Sequence, residues 1–109
     1  MNEKQMQKPE YHILIKKQNM IEKIIIKLNR KIFNTNNYEK RYKLINQLTE
    51  NTNEIIKINS IANYLDLHQN RYNSTPEKIV ELSQKLLDDE KVYKRALKID
   101  KRRTHNYEL

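Results

Sequence analysis

None of the 109 residues is glycine. That absence removes the residue that most readily takes a positive φ, so the tight strand turns built on Asn-Gly or Asp-Gly have no basis here. It also removes the glycine loops that let a backbone approach a phosphate, which excludes P-loop and dinucleotide-binding folds. Reversals of the chain must then use Asn, Ser, Thr and Pro, which cluster at Asn34-Thr35-Asn36-Asn37 and at Asn73-Ser74-Thr75-Pro76. At the second cluster, Ser74 or Thr75 can cap a helix in which Pro76 needs no donor of its own. Ser74 with Glu77 also has capping-box spacing.

Around these breaks apolar residues recur at helical spacing. Leu14, Ile21, Ile24, Ile25, Leu28 and Ile32 form a stripe that predicts a helix over 11–33. Tyr38, Tyr42, Ile45 and Leu48, with Leu44 beside them, predict a second over 38–50. The polar run from Thr49 to Asn53 places a connection before a third helix over 53–72, where Ile58, Ile61, Ala62, Leu65 and Leu67 share a face. Ile79, Leu82, Leu86 and Tyr93, joined by Val80 and Leu87, predict a fourth over 75–98. The first nine residues lack periodicity and read as frayed, and 99–109 read as a flexible basic C-terminal tail. The expected fold is all-α, a single domain over 1–109 folded as an antiparallel four-helix bundle, up-and-down, around the hairpin that turns at Asn73 to Glu77. Tyr38, Tyr42, Tyr64 and Tyr93 are expected to bury their rings with hydroxyls at the rim.

The formal net charge is +8. Between positions 91 and 103 seven bases, Lys91, Lys94, Arg95, Lys98, Lys101, Arg102 and Arg103, stand against Asp100 alone, so six of the eight net charges lie there. Elsewhere bases alternate with acids, as on a solvated helix face. The seven are therefore the candidate partner-binding residues, and an anionic membrane surface or nucleic acid is the partner that charge alone suggests.

Nothing in the sequence assembles a catalytic or metal site, and no cofactor is expected. His12, His68 and His105 are far apart and without ligand spacing. Asp88, Asp89 and Glu90 are adjacent, so on a helix their carboxylates diverge; a solvated acidic patch pairing with Lys91, Lys94 or Arg95 is the simpler expectation. With no cysteine there is no disulfide or thiolate site, which suits a reducing compartment. No apolar run is long enough to cross a bilayer, and the first residues lack a signal's apolar centre, so a cytoplasmic protein is expected. A helix-turn-helix with Pro76 opening the reader is disfavoured by the long link from Leu67 and by Glu77 and Glu81 where phosphates would lie.

The central hairpin resembles the enterocin A immunity family, the small proteins that protect producers of pediocin-like (class IIa) bacteriocins. The resemblance lies in a helix ending with Asn63-Tyr64-Leu65, a polar link rich in Asn and basic residues, and Thr75 opening a helix with Ile79, Leu82 and Leu86 at core spacing. Chain length, basic balance and the late Tyr107 agree with it. The resemblance implies a cytosolic, non-enzymatic four-helix bundle that recognises a bacteriocin-bound mannose-phosphotransferase membrane receptor from the cytoplasmic side. Because the C-terminal half sets which toxin such proteins resist, Lys94, Arg95, Lys98, Lys101, Arg102 and Arg103 become contact candidates. The alternative reading is a small phage- or plasmid-encoded DNA-binding regulator or protein inhibitor.

Overall fold

The computed structural model describes the backbone of residues 1–107 and the side chains of residues 1–98. Every regular element among them is helical, as the periodicity predicts. In chain order they are α1 (Glu3–Met6), a 3-10 turn (Pro9–Tyr11), α2 (His12–Phe33), α3 (Tyr38–Tyr72), α4 (Pro76–Asp88) and α5 (Glu90–Tyr107).

The turns do without glycine by the means expected of Asn and Thr. Asn37 caps α3 through its side chain, which accepts from the Lys40 N–H at 3.1 Å. Asn73 ends α3 in the left-handed region, φ 49°, the place glycine usually fills and Asn tolerates. Thr75, rather than Ser74, then caps α4 by accepting from the Lys78 N–H at 3.3 Å, with Pro76 first in the helix.

Three boundaries depart from the sequence expectation. The connection expected at Thr49 to Asn53 is absent, and α3 runs unbroken for 35 residues. Thr49 and Thr52 donate to the carbonyls of Ile45 and Leu48 four residues back, at 3.0 and 2.8 Å, and Asn51 does the same to Gln47. Their polar groups are satisfied inside the helix and do not compete with it. The helix expected over 75–98 instead divides at Asp89, whose backbone is extended, φ −115°, ψ 104°. The residues expected as a tail continue α5 to Tyr107.

The core lies where the start of α2, the second half of α3, α4 and α5 meet. Tyr11, Leu14, Ile58, Ile61, Leu65, Ile79 and Leu86 are buried there, with Ala96 of α5 beside them. Burial of each large apolar side chain contributes about 1.5 to 3 kcal/mol. Ser83, also buried, is satisfied by donating to the Ile79 carbonyl at 2.7 Å. The first residues are not frayed. Asn2 and Gln5 form a capping box on α1, and Gln5, 2% exposed, donates to Asp66 and Asn63 of α3. This segment is held by polar side chains, so apolar periodicity could not reveal it.

Contacts between Tyr11 and Asp66, and of the Met1 amino group with both Gln18 and Asn59, fix α2 and α3 as an antiparallel hairpin. The hairpin's far half projects beyond the core. The radius of gyration is 16.7 Å, against roughly 13 Å for a compact chain near this length. In that half Leu28, Leu44 and Leu48 turn inward, whereas Tyr38, Tyr42, Ile45 and Ile24, all expected in the core, are exposed. Leu67 is exposed as well. Tyr64 and Tyr93 are half-buried against the core.

Candidate interaction surfaces

α5 opens at Asp89. The Asp89 N–H closes α4 by donating to the Lys85 carbonyl at 2.9 Å, and its carboxylate accepts from the Lys91 and Val92 N–H groups at 3.0 and 3.3 Å. One residue thus ends one helix and caps the next. The neighbouring acids have separate partners: Asp88 accepts from Gln84 at 2.7 Å, and Glu90 pairs with Lys57 of α3 at 2.8 Å. The close contacts of this acidic run are these, where the sequence predicts pairing with Lys91, Lys94 or Arg95, and of those three bases Lys94 acts on Glu90 through its charge. Lys57 also lies 4.8 Å from the centre of the Tyr93 ring, so it fastens the first turn of α5 to α3. The hydrogen bond from Lys57, helped by its charge and that of Lys94, holds the Glu90 carboxyl below its ordinary value.

Fastened in this way, α5 turns Val92, Tyr93 and Ala96 toward the core and leaves Lys91, Lys94, Arg95 and Lys98 exposed. Four of the seven candidate partner-binding residues therefore form a basic outer face. The side chains of Lys101, Arg102 and Arg103 lie outside the described residues.

A second basic surface, read in the sequence only as interleaved charge, forms at the end of the α2–α3 hairpin. From position 27 to 43, Lys27, Arg30, Lys31, Lys40, Arg41 and Lys43 face Glu39 as the single acid. Lys31, Lys40 and Lys43 line a shallow cleft of about 410 Å³ with Asn34, Thr35 and Leu44. Phe33 and Tyr38 nearby are 87% and 81% exposed. The bases are split between two helices, and only the turn brings them together. Their signal in the sequence was the pair of basic runs flanking an Asn-rich break.

The most enclosed polar cluster lies at the opposite end. Asp66 accepts from the Tyr11 hydroxyl and from Gln5 Nε2 at 2.7 Å, and Lys8 Nζ stands 3.6 Å away. Burial, then the bond to Asp66 and its charge, hold the Tyr11 phenol well above its ordinary value. The Tyr11 ring is fully buried, and the cluster braces the N-terminal segment on α3. His68 bonds Ser74 at 2.8 Å and meets the Tyr72 ring at a tilt of 56°, centroids 4.8 Å apart, and His12 contacts the Pro9 carbonyl at 3.0 Å. Among the described residues no group of His, Asp and Glu is placed to hold a metal, and no helix is long and apolar enough to cross a membrane. Comparison of the chain with protein-family models, with curated proteins and with solved structures finds no match.

Proposed function

We propose that this chain is a non-enzymatic helical binding protein whose working surface is the basic face of α5, and that it confers immunity to a pediocin-like bacteriocin. The observation that carries this reading is the division of α5 into an anchored side, Val92, Tyr93 and Ala96, and an exposed side bearing Lys91, Lys94, Arg95 and Lys98. A helix held by one side keeps its cations available without unfolding the core. In this reading Lys101, Arg102 and Arg103 continue the contact. The partner is a mannose-phosphotransferase membrane receptor engaged by the bacteriocin and met from the cytoplasmic side. The anionic membrane surface beside it adds about 1 kcal/mol for each base that reaches it. The matching architecture is an antiparallel up-and-down bundle of α2, α3, α4 and α5.

Expression in a sensitive Gram-positive strain, challenged with a panel of bacteriocins, tests the proposal. Protection against one toxin is expected, together with its loss in Lys94→Glu/Arg95→Glu at unchanged thermal melting. Unchanged sensitivity to every toxin overturns it.

A second reading, a phage- or plasmid-encoded nucleic-acid-binding regulator, is favoured by the hairpin end, where exposed Phe33 and Tyr38 stand among six bases. Aromatic faces on a basic surface can stack on unpaired bases while cations meet phosphates. Fluorescence anisotropy on single-stranded and duplex DNA at several salt concentrations separates the two. Sub-micromolar binding at physiological salt selects this reading over immunity.

A further inference from the structure

We infer that one side of the projecting α2–α3 hairpin end is a contact surface for an anionic lipid bilayer. On α2 that side carries Ile26, Arg30 and Phe33, spaced four and then three residues apart; on α3 it carries Tyr38, Arg41 and Ile45, spaced three and then four. All six are exposed, Ile26 at 54% and Ile45 at 43%. At about 100° per residue each arginine stands within about 60° of the two apolar residues beside it, so it belongs to the same patch. The apolar residues lie about a quarter to a third of a turn from the rows Ile25-Leu28-Ile32 and Leu44-Leu48 that face the partner helix, in the same rotational sense on both helices. In an antiparallel hairpin, turns of one sense fall on one side. Each helix therefore presents an aromatic, an arginine and an aliphatic side chain, in mirror order about the turn.

Charge within the patch selects an anionic occupant. The single acid between positions 26 and 45, Glu39, falls about 100° round α3 from Tyr38, away from the patch. Glu22, one turn before Ile26, accepts from Gln18 at 3.2 Å. Lys27, Lys31, Lys40 and Lys43 stand outside the patch at the same end and add to its positive field. The apolar residues select a bilayer among anionic partners. A guanidinium on a long stem reaches lipid phosphates while its methylenes lie against apolar neighbours. Tyr38 suits the headgroup level, where the ring is sheltered and the hydroxyl stays wet. Ile26 and Ile45 count against a nucleic-acid strand, whose bases stack on aromatic faces and leave an aliphatic side chain in water. Shallow insertion of aliphatic and aromatic side chains beside arginines is how a helical surface lies on an anionic bilayer.

The fold leaves this side open to a plane. α5 is fastened to the other side of α3, where Lys57 pairs with Glu90. The N-terminal segment covers the same side as the patch, but further from the turn, where Met1 bonds Asn59 and Gln5 bonds Asn63 and Asp66. This contact is separate from the basic face of α5 and needs no bacteriocin, so it stands or falls apart from the proposed immunity.

Vesicles of equal parts phosphatidylglycerol and phosphatidylcholine, and vesicles of phosphatidylcholine alone, test the inference with the full chain. The chain has no tryptophan, so Phe33→Trp supplies a fluorescent reporter at a position already exposed. Expected are sedimentation with the anionic vesicles and not the neutral ones, a blue shift of the introduced tryptophan's emission, and its quenching by brominated lipid. Ile26→Ser/Ile45→Ser and Arg30→Gln/Arg41→Gln each weaken binding about tenfold with unchanged far-UV circular dichroism. Lys94→Glu/Arg95→Glu, which alters α5 alone, leaves the blue shift in place at saturating lipid. No sedimentation with anionic vesicles, equal binding to neutral ones, or binding untouched by both hairpin double variants overturns the inference. Sedimentation without a blue shift overturns it too, and assigns the lipid contact to α5. So does a blue shift given by single-stranded DNA but not by vesicles, or one that grows with protein concentration before lipid is added, which assigns the patch to nucleic acid or to a second copy.

Discussion

The Tyr11 hydroxyl donates a hydrogen bond to Asp66 across 55 positions of sequence, joining the 3-10 turn before α2 to the last part of α3. A neutral phenol stabilises the fold in this setting, because burial and the Asp66 charge both oppose its ionisation. The contribution is complete below the unfolded phenol's ordinary value of 10.0 and is lost as pH rises above it, where the unfolded chain releases a proton and the folded chain does not. From about pH 10 upward the stability of the parent chain therefore falls more steeply than that of Tyr11→Phe, by up to about 1.4 kcal/mol per pH unit. Urea denaturation at a series of alkaline pH values measures the difference, and parallel curves would exclude Tyr11 as its source. At neutral pH, Tyr11→Phe costs about 1 to 3 kcal/mol by taking a donor from Asp66.

Leu86 and Leu67 separate burial from mere hydrophobicity. Leu86 is 1% exposed and sits in the core cluster, whereas Leu67 is 52% exposed although it follows the apolar run of α3. Leu86→Ala should cost about 2 to 5 kcal/mol, and Leu67→Ala less than about 0.5 kcal/mol. Equilibrium denaturation decides between them, and equal costs would place the core on a different face of α3.

The contrast between those leucines shows what the sequence could and could not convey. Helical periodicity and the break at Thr75-Pro76 are local properties, and both are legible in the chain. α3, however, carries two interleaved rows, Tyr38-Tyr42-Ile45 and Leu44-Leu48, and their hydropathy does not say which one meets α2. That choice depends on the position of Leu28 across the hairpin, a tertiary fact. The continuity of α3 through Thr49 to Asn53 depends on where three polar side chains find acceptors, and composition there points the other way. Of the interaction surfaces, the bases of α5 are contiguous in sequence and therefore visible. Those of the hairpin end are divided between α2 and α3 and emerge only on folding.

Asp89 provides a test of the junction between α4 and α5. Its carboxylate accepts from two N–H groups at the start of α5, so Asp89→Ala should cost about 0.5 to 2 kcal/mol. Asp89→Asn, which keeps an acceptor oxygen, should recover most of that loss. Urea midpoints of the three proteins measure the order. If Asp89→Ala matches the parent, α5 does not depend on this cap.

Glu90 and Lys57 supply the acid-side counterpart of Tyr11. The Lys57 hydrogen bond lowers the Glu90 pKa from its ordinary 4.5, so the folded chain holds this proton less tightly than the unfolded one. The stabilisation is present above the unfolded value and is lost as pH falls through the lower, folded value. Glu90→Gln removes that pH dependence, so its stability and the parent's converge as the solution is acidified below about pH 4. Because Glu90 is exposed, added salt should narrow the difference at neutral pH as well. Thermal melts at neutral and acid pH, each at low and high salt, measure both effects. A difference that stays constant with pH would assign the Glu90→Gln effect to lost geometry at the start of α5 and not to its charge.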